Sequence, residues 1–540
     1  MSFTESVAIA LYDWHSTREK PVPPFVSATM APSGPPPAKR ARTCAHGSLT
    51  LRGGSAIDKL PNEVLSSVFV FATHAHAHHD TYDNDTYDDH PDETDDDSQT
   101  PTHDATTSTL TPTASAPTTL SHVCHRWRLV ALSTGSLWTK LELTFPTSPA
   151  QITRTMTWIQ RSRHHPLDIT LDLRDEDWDF ESEERHGFSA ADMVSVLRLL
   201  SPVMRRWRRV EVLTDTWAPM FTFLTYTHGM GASLLRLESL HLARCNEYFA
   251  RKGEVFEPAA LGEHVALFDA GGILPKLREV QLTGVHINWS HHPFLNLTKL
   301  DFKYQAADVM PTIAQFASIL ATSPALETLS IVGHAPQLLD TDTEIIKLAH
   351  LRNFTFGFVD VSHAIRFLSL LDIPSLRSFS LEDVSSSLRE QTAGSAATLL
   401  QWLAGSCEFA PSHLDSAPGS ISRTRIPLSQ VKTLTLHSLD ASPVAFSRFF
   451  AACRTTARLR IWDVSGDVLD VLRQDADVVL LPDLQTLMAR GVDSDSFDRV
   501  VDERGISLSR ARLECARPDR FSHDDDSDYH GGSPSQSQSC

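Results

Sequence analysis

The chain has 540 residues, of which 41% are hydrophobic and 21% are charged, and its formal net charge is −19. The apolar share is enough for a sizeable core, whereas the acidic balance argues against a general nucleic-acid-binding protein, in which a basic face attracts phosphates. The seven cysteines include no CxxC pair, the N-terminus has no basic region before its apolar residues, and no apolar run reaches 18 residues. We therefore expect a protein of the cytoplasm or nucleus with reduced thiols, no structural zinc, no signal peptide and no membrane span.

Residues 1–55 are predicted to form a disordered, proline-rich N-terminus, because their two proline runs favour extended conformations that build no core. A short basic cluster, KRAR at 39–42, follows the second run. It is either a nuclear localisation signal or a solvated charge run, and its small size favours the second interpretation.

The segment IDKLPNEVLSSVFVFA (57–72) predicts a helix. Pro61 stands at or near the first helical position, where its missing N–H has no consequence, and Glu63 lies in the first turn, where the helix dipole favours a carboxylate. An apolar stripe follows, made of Val64, Leu65, Val68 and Phe69.

Residues 74–119 are predicted to be a low-complexity insert rich in Asp and Thr. It opens with His74, His76, His78 and His79, which are compatible with a zinc or copper site. However, such a segment offers no fixed scaffold for tetrahedral ligands. No Lys or Arg occurs from residue 60 to 125, so the carboxylates repel one another and an extended polar insert is favoured.

The segment LSHVCHRWRLVALSTGSLWTKLEL (120–143) predicts one helix, a break at Ser-Thr-Gly, and then an alternating strand. The apolar residues at helical spacing are Leu120, Val123, Trp127, Val130 and Ala131, and Leu137 and Trp138 follow the break. Arg126 and Arg128 lie off the apolar face of this predicted helix.

In this order, the two segments resemble the F-box, in the form common in fungal F-box-like proteins. The residues that match the family pattern are Leu60, Pro61, Glu63, Val64, Leu65, Val68, Phe69, Val123, Cys124, Trp127, Arg128, Leu137 and Trp138. His125 departs from it, because a basic residue is more usual there. The insert 74–119 replaces a short connection, and lengthening a flexible loop adds only about 0.6 kcal/mol of closure free energy per doubling.

The resemblance implies that residues 56–143 are a small helical module that binds a Skp-type adaptor and, through it, a cullin. The residues predicted to form the adaptor-binding surface are Leu60, Pro61, Glu63, Val64, Leu65 and Val68. The residues predicted to form the core of the module are Phe69, Val123, Trp127, Leu137 and Trp138. The alternative is an ordinary helical domain in which all of these apolar residues are core.

Residues 144–515 carry a repeated motif with apolar residues at positions 1, 4 and 6. Clear copies begin at residues 237, 277, 297, 326, 351, 376 and 431, and weaker copies at 207, 457 and 484. The motif predicts a strand with one buried face, and intervening stretches such as 310–324, 362–374 and 442–453, together with a segment near 399–403, predict helices. The five successive starts from residue 277 to residue 376 are separated by 20, 29, 25 and 25 residues, which is the period of leucine-rich repeats.

The predicted fold class is therefore α/β: an F-box-like module followed by an irregular leucine-rich-repeat-like solenoid over 144–515. The asparagine that many such repeats carry after the strand is missing. Residues 516–540 are predicted to be a disordered, acidic, serine-rich tail.

The densest basic cluster, RRWRR at 205–209, could contact phosphate or an acidic peptide, but a solvated helix end before a strand is the favoured interpretation. Phosphate-binding, dinucleotide-binding, serine-hydrolase and zinc-protease motifs are absent from the sequence. We therefore predict no catalytic residue, cofactor or metal.

The sequence thus predicts a substrate-receptor subunit of an SCF-type ubiquitin ligase, whose F-box binds the adaptor and whose repeats recruit a protein substrate of unknown identity. The alternative is a non-ligase interaction scaffold built on leucine-rich repeats. An enzyme with an unrecognised active site is a third hypothesis, and a closed pocket with convergent titratable groups would favour it.

Overall fold

The structure is a computed structural model that describes most of residues 56–514. The described ranges are 56–74, 112–175, 177–178, 186–245, 256, 258–268, 274–291, 293–339, 341–385, 394–405, 424–465, 467–473 and 479–514. The predictions for residues 1–55, including the KRAR cluster, for 75–111, including three of the four histidines, and for 516–540 concern segments outside the described residues. The chain divides into two units, residues 1–297 and 298–540.

Three helices open the described part of the first unit: α1 (Asn62–His74), α2 (Pro112–Val123) and α3 (His125–Ser133). The predicted single helix over 120–132 is wrong, because Cys124 has extended backbone dihedrals and interrupts it. The Cys124 Sγ accepts a hydrogen bond from the Trp127 N–H at 3.4 Å and thereby caps α3. Because α2 begins at Pro112, the last residues of the predicted insert are helical.

The three helices pack around buried apolar and aromatic side chains. The rings of Phe69 on α1 and Trp127 on α3 lie 4.8 Å apart between centroids. Leu137 and Trp138 follow α3 in a short 3-10 turn, Gly135–Trp138, and both are buried. The Trp138 indole N–H donates a hydrogen bond to the Ala131 carbonyl oxygen at 2.9 Å, which fixes this turn against α3.

The rest of the first unit alternates strands and helices. Its five described strands pair in chain order and run parallel: β1 (Lys140–Thr144), β2 (Leu167–Asp172), β3 (Trp207–Thr214), β4 (Ser239–Arg244) and β5 (Glu279–Thr283). Helices connect the first four strands: α4 (Pro149–Arg161), α5 (Ala190–Leu200) and α6 (Trp217–Thr227). Helices between parallel strands are the connections such a sheet requires.

The second unit has the same alternation. Eight of its described strands form a parallel series in chain order: β6 (Lys299–Lys303), β7 (Thr328–Val332), β9 (Asn353–Phe358), β11 (Ser378–Asp383), β12 (Thr433–His437), β13 (Arg458–Trp462), β14 (Thr486–Arg490) and β15 (Ala511–Glu514). The short strands β8 (Ile346–Lys347) and β10 (Leu371–Asp372) pair with each other. The helices of this unit are α7 (Ile313–Ala321), α8 (Val361–Ser369), α9 (Ala396–Leu403), α10 (Pro443–Ala452), α11 (Asp467–Val471) and α12 (Ser494–Arg504).

All ten copies of the predicted motif lie on strands, so the predicted α/β class is confirmed at this level. Equivalent positions of successive copies face each other, as Leu329 faces Phe354 and Phe354 faces Phe379. The first residue of each clear copy, for example Leu237 or Leu351, is also buried. Each copy therefore buries its apolar residues against its neighbours.

The residue directly after a strand often has a left-handed backbone. Positive φ angles occur directly after strands at Gly284, Tyr304, Gly333, Ser438, Asp463 and Gly491, and all but Asp463 occupy the eighth position of their motif copies. Residues other than asparagine therefore make this turn, and sequence reasoning missed them because it looked for asparagine alone. Gly491 requires glycine, because an added Cβ would lie 2.5 Å from the Asp463 Oδ1 atom at a φ of +70°.

The helices predicted over 310–324, 362–374, 442–453 and near 399–403 are present, but the second ends at Ser369 and is followed by the short strand Leu371–Asp372. Over 310–324, Thr312 caps α7 and forms a reciprocal capping box with Gln315. Pro311 therefore precedes the cap and lies outside the first turn of α7. In the described part, no helix is both long and apolar enough to cross a membrane.

The basic cluster at 205–209 is partly used by the fold. Arg208 forms an ion pair with Asp168 at 2.6 Å, and Arg206 donates to the carbonyl oxygens of Ile159 and His165. Trp207, in the middle of the cluster, is buried at the start of β3. These contacts support the interpretation of this cluster as structural.

Candidate functional site

The outer face of α1 exposes three apolar side chains. Val64 is 45% exposed, Val68 43% and Phe71 74%. At 100° per residue these positions share one side of the helix, opposite the side that buries Phe69 and Thr73. Single exposed apolar residues are common, but a line of them on one helix marks a surface that a partner can cover.

The structure corrects two residues of the predicted surface and core. Leu65, assigned to the adaptor-binding surface, is 0% exposed, because it lies about 100° around the helix from Val64, on the buried side. Val123, assigned to the core, is 57% exposed at the last position of α2. A stripe of adjacent apolar positions in the sequence does not reveal which of its two edges is buried.

Of the other predicted residues, those assigned to the surface are exposed or half-buried, and those assigned to the core are buried or half-buried. Pro61 and Glu63 are exposed, and Leu60 is half-buried. Among the predicted core residues, Phe69, Leu137 and Trp138 are buried, and Trp127 is half-buried. Phe71 was missed, although its spacing of three and seven residues from Val68 and Val64 could have indicated it.

Arg126 fixes the start of α1 against α3. Its Nε and Nη2 atoms each donate to the Asn62 Oδ1 atom at 3.1 Å, and Nη2 also donates to the Leu60 carbonyl oxygen. A second link joins the Ser66 and Thr134 hydroxyl oxygens, which lie 2.9 Å apart. The exposed face of α1 therefore belongs to a helix that is held in place at its first turn.

Helix α3 has an exposed apolar face of its own. Leu129 is 57% exposed and Leu132 is 36% exposed, whereas Val130 and Ala131 on the other side of the helix are buried. The helical module therefore presents two apolar faces, one on α1 and one on α3.

His74, the first residue of the histidine run, has a structural contact. Its Nε2 atom lies 3.1 Å from the Ser136 carbonyl oxygen, and burial lowers the pKa of the ring. Among the described residues, no three His, Cys, Asp or Glu side chains are grouped as metal ligands would be.

The exposed face of the second unit's strands carries a charged cluster at the end of β11–β14. The His437 Nδ1 atom lies 2.8 Å from the Glu382 Oε1 atom, and its Nε2 atom lies 3.6 Å from the Asp463 Oδ2 atom. Arg490 donates to the same Asp463 oxygen at 2.8 Å. Its Nη2 atom also lies 3.4 Å from the His437 Nε2 atom, a contact that suits only a neutral ring.

The carboxylates of Glu382 and Asp463 lie beside the His437 ring and favour its protonated, charged form. Burial disfavours the charged ring, but the hydrogen bonds and charges of Asp463 and Glu382 outweigh burial and raise the pKa of His437 to about 9. The 3.4 Å contact between the Arg490 Nη2 and His437 Nε2 atoms is therefore packing and not a hydrogen bond. The Asp463 carboxylate pairs with both cations.

Protonated His437 is expected to stabilise the fold at neutral pH and to lose this effect in alkali. Because the pKa is raised above 6.5 in the folded state, the stabilisation is complete below pH 6.5 and disappears as the pH rises through about 9. The loss should amount to about 1–3 kcal/mol, since Asp463 is partly exposed. Urea unfolding at pH 7 and pH 10 measures this loss. The His437→Gln variant lacks the titrating ring, so it should lose less unfolding free energy between the two pH values than wild type does. An equal alkaline loss in both proteins would contradict this assignment.

A cavity of about 500 Å³ lies in the second unit beside the ends of β7 and β9. Two of its polar lining residues already serve the fold. Asp360 caps α8 through the His363 N–H, and the His363 Nε2 atom lies 3.0 Å from the Pro336 carbonyl oxygen. Burial lowers the pKa of His363. The two contacts hold the start of α8 in place.

No protein-family model matches the chain, and no curated protein sequence matches it. Among the described residues, the exposed apolar side chains of α1 and α3 are candidates for a binding surface.

Proposed function

We propose that the protein is the substrate-receptor subunit of an SCF-type ubiquitin ligase. In this proposal the helical module is an F-box that binds a Skp-type adaptor, and the strand-and-helix region recruits a protein substrate. The carrying observation is the line Val64, Val68 and Phe71, exposed on a helix that Arg126 fixes to α3. This line lies within the segment whose residue order resembles the F-box.

The exposed line is suited to protein binding because it offers apolar area on a preorganised helix. Covering apolar surface contributes about 25 cal/mol per Å², and a helix already held in place loses little conformational entropy on binding. The role requires no bond chemistry from this chain, since holding a substrate near the transferring enzyme raises its effective concentration.

The repeat architecture is the second part of the proposal. Irregular leucine-rich repeats are supported by in-register parallel strands, by burial at positions 1, 4 and 6, and by the recurring left-handed residue at position 8. In such an array each repeat buries its apolar face against its neighbours and leaves the intervening strand positions for a ligand.

Affinity purification of the full chain, co-expressed with a Skp-type adaptor and a cullin, tests the proposal. We expect all three proteins to elute together. Recovery of the adaptor without the cullin would favour the alternative of a scaffold that works outside a ligase. If the adaptor is not recovered at all, the F-box interpretation is wrong.

A further inference from the structure

Three cationic side chains stand side by side at the start of neighbouring strands in the second unit. Arg352, Arg377 and Lys432 immediately precede β9, β11 and β12. The Arg377 N–H donates to the Arg352 carbonyl oxygen at 2.8 Å, and the Lys432 N–H donates to the Arg377 carbonyl oxygen at 2.7 Å. Their backbones are therefore adjacent at the strand spacing of about 4.8 Å, although 25 and 55 residues separate them in the sequence.

The line ends at β13, where Ala457 occupies the same position and its N–H donates to the Lys432 carbonyl oxygen at 2.9 Å. Glu327, at the same position before β7, bounds the line on the other side, since its carbonyl oxygen accepts from the Arg352 N–H at 2.9 Å. The side chains of Arg352, Arg377 and Lys432 are all exposed. We call these three residues the basic row.

Within the part of the chain that the structure describes, the three side chains of the basic row take part in no hydrogen bond or ion pair. Other cations of the protein are paired, such as Arg208 with Asp168 and Arg490 with Asp463. Like charges on adjacent strands destabilise a sheet. A bound anion would relieve that repulsion, and the row is unusual in a chain whose net charge is −19.

We propose that the basic row binds an acidic segment of a partner protein, lying across the strands. Three side chains at about 4.8 Å intervals span about 10 Å, which an extended peptide covers with about three residues. The identification of this partner as the ligase substrate rests on the function proposed above. The binding of an acidic segment by the basic row does not depend on that function. An acidic peptide fits better than a nucleic acid, because the remaining acidic surface repels a long polyanion.

Fluorescence anisotropy with the full chain and a labelled peptide of six aspartates flanked by Gly and Ser tests the proposal. Arg352→Ala/Arg377→Ala/Lys432→Ala should bind about tenfold or more weakly than wild type, which corresponds to a loss of about 1.4 kcal/mol. The control Lys59→Ala/Arg198→Ala/Arg448→Ala removes the same charge from exposed positions outside the row and should bind like wild type. Raising the salt from about 0.05 M to about 0.3 M should weaken wild-type binding, as screening requires.

Equal losses in the two triple variants would overturn the proposal, because they would show attraction by overall charge. A single-stranded DNA oligonucleotide that displaces the peptide at lower concentration would also overturn it in favour of nucleic acid. Binding that appears only after removal of residues 516–540 would assign the row to the chain's own DDDSD segment at 524–528 and exclude a partner. Adaptor recovery measured on the row variant separates this outcome from a failure of the ligase proposal.

Discussion

Val64→Asp/Val68→Asp is expected to abolish recovery of the Skp-type adaptor while leaving the fold intact. Both side chains are almost half exposed on the outer face of α1, so aspartate remains hydrated in the free protein. In an interface the two carboxylates would lose water without gaining partners, which should weaken binding at least about 100-fold. Co-purification with the adaptor and a thermal melt of each variant measure the two parts of this expectation.

Leu129→Asp/Leu132→Asp is the matched control, because it places the same two charges on the exposed face of α3. If the adaptor is recovered with the α3 variant but not with the α1 variant, the adaptor contact lies on α1. If the α1 variant still recovers the adaptor at the wild-type level, the surface assignment is wrong. Leu65→Ala cannot serve in this test, since Leu65 is buried and its truncation should destabilise the module by about 2–5 kcal/mol.

Periodicity in the sequence was sufficient to predict the ten strands that carry the motif. An apolar residue at positions 4 and 6 with a polar residue between them favours burial of one face, and the buried Phe379 and Leu381 of β11 illustrate this pattern. The helix over 310–324 was equally clear, because Ile313, Phe316, Ile319 and Leu320 fall on one side and all are buried. Such local patterns repeat, and each copy strengthens the prediction of the next.

The helical module shows where local patterns fail. The apolar residues keep helical spacing on both sides of Cys124, so the pattern predicted one continuous helix. Nothing in that pattern marks Cys124 as the residue that leaves the helix and caps α3. The sequence placed Arg126 only off the apolar face, yet it donates to the Leu60 carbonyl oxygen, 66 residues earlier in the chain, and to the Asn62 amide oxygen, 64 residues earlier. Contacts across an insert follow from packing and have no signature in either segment alone.

The basic row depends on the same kind of information. Arg352, Arg377 and Lys432 each follow the first leucine or valine of a motif copy, so their shared position was visible in the sequence. Their adjacency follows only when β9, β11 and β12 pair in register and the short strand β10 is left out of the series. A search for charge at one fixed motif position would have found the row, whereas a search for runs of basic residues found the cluster at 205–209, which the fold partly uses.

Trp138→Ala is expected to unfold the helical module more readily than any surface change in it. Trp138 is fully buried, its ring meets Trp158 edge-on with centroids 5.5 Å apart, and the Arg161 guanidinium lies 4.4 Å from its ring centroid. Truncation removes this packing and leaves the Ala131 carbonyl oxygen without its donor, so we expect a loss of about 3–5 kcal/mol in unfolding free energy. Trp138→Phe keeps an aromatic ring and removes the N–H, and it should lose less, about 1–3 kcal/mol. Urea unfolding followed by circular dichroism ranks the two variants, and an alanine variant no less stable than the phenylalanine variant would show that packing around Trp138 does not hold the module together.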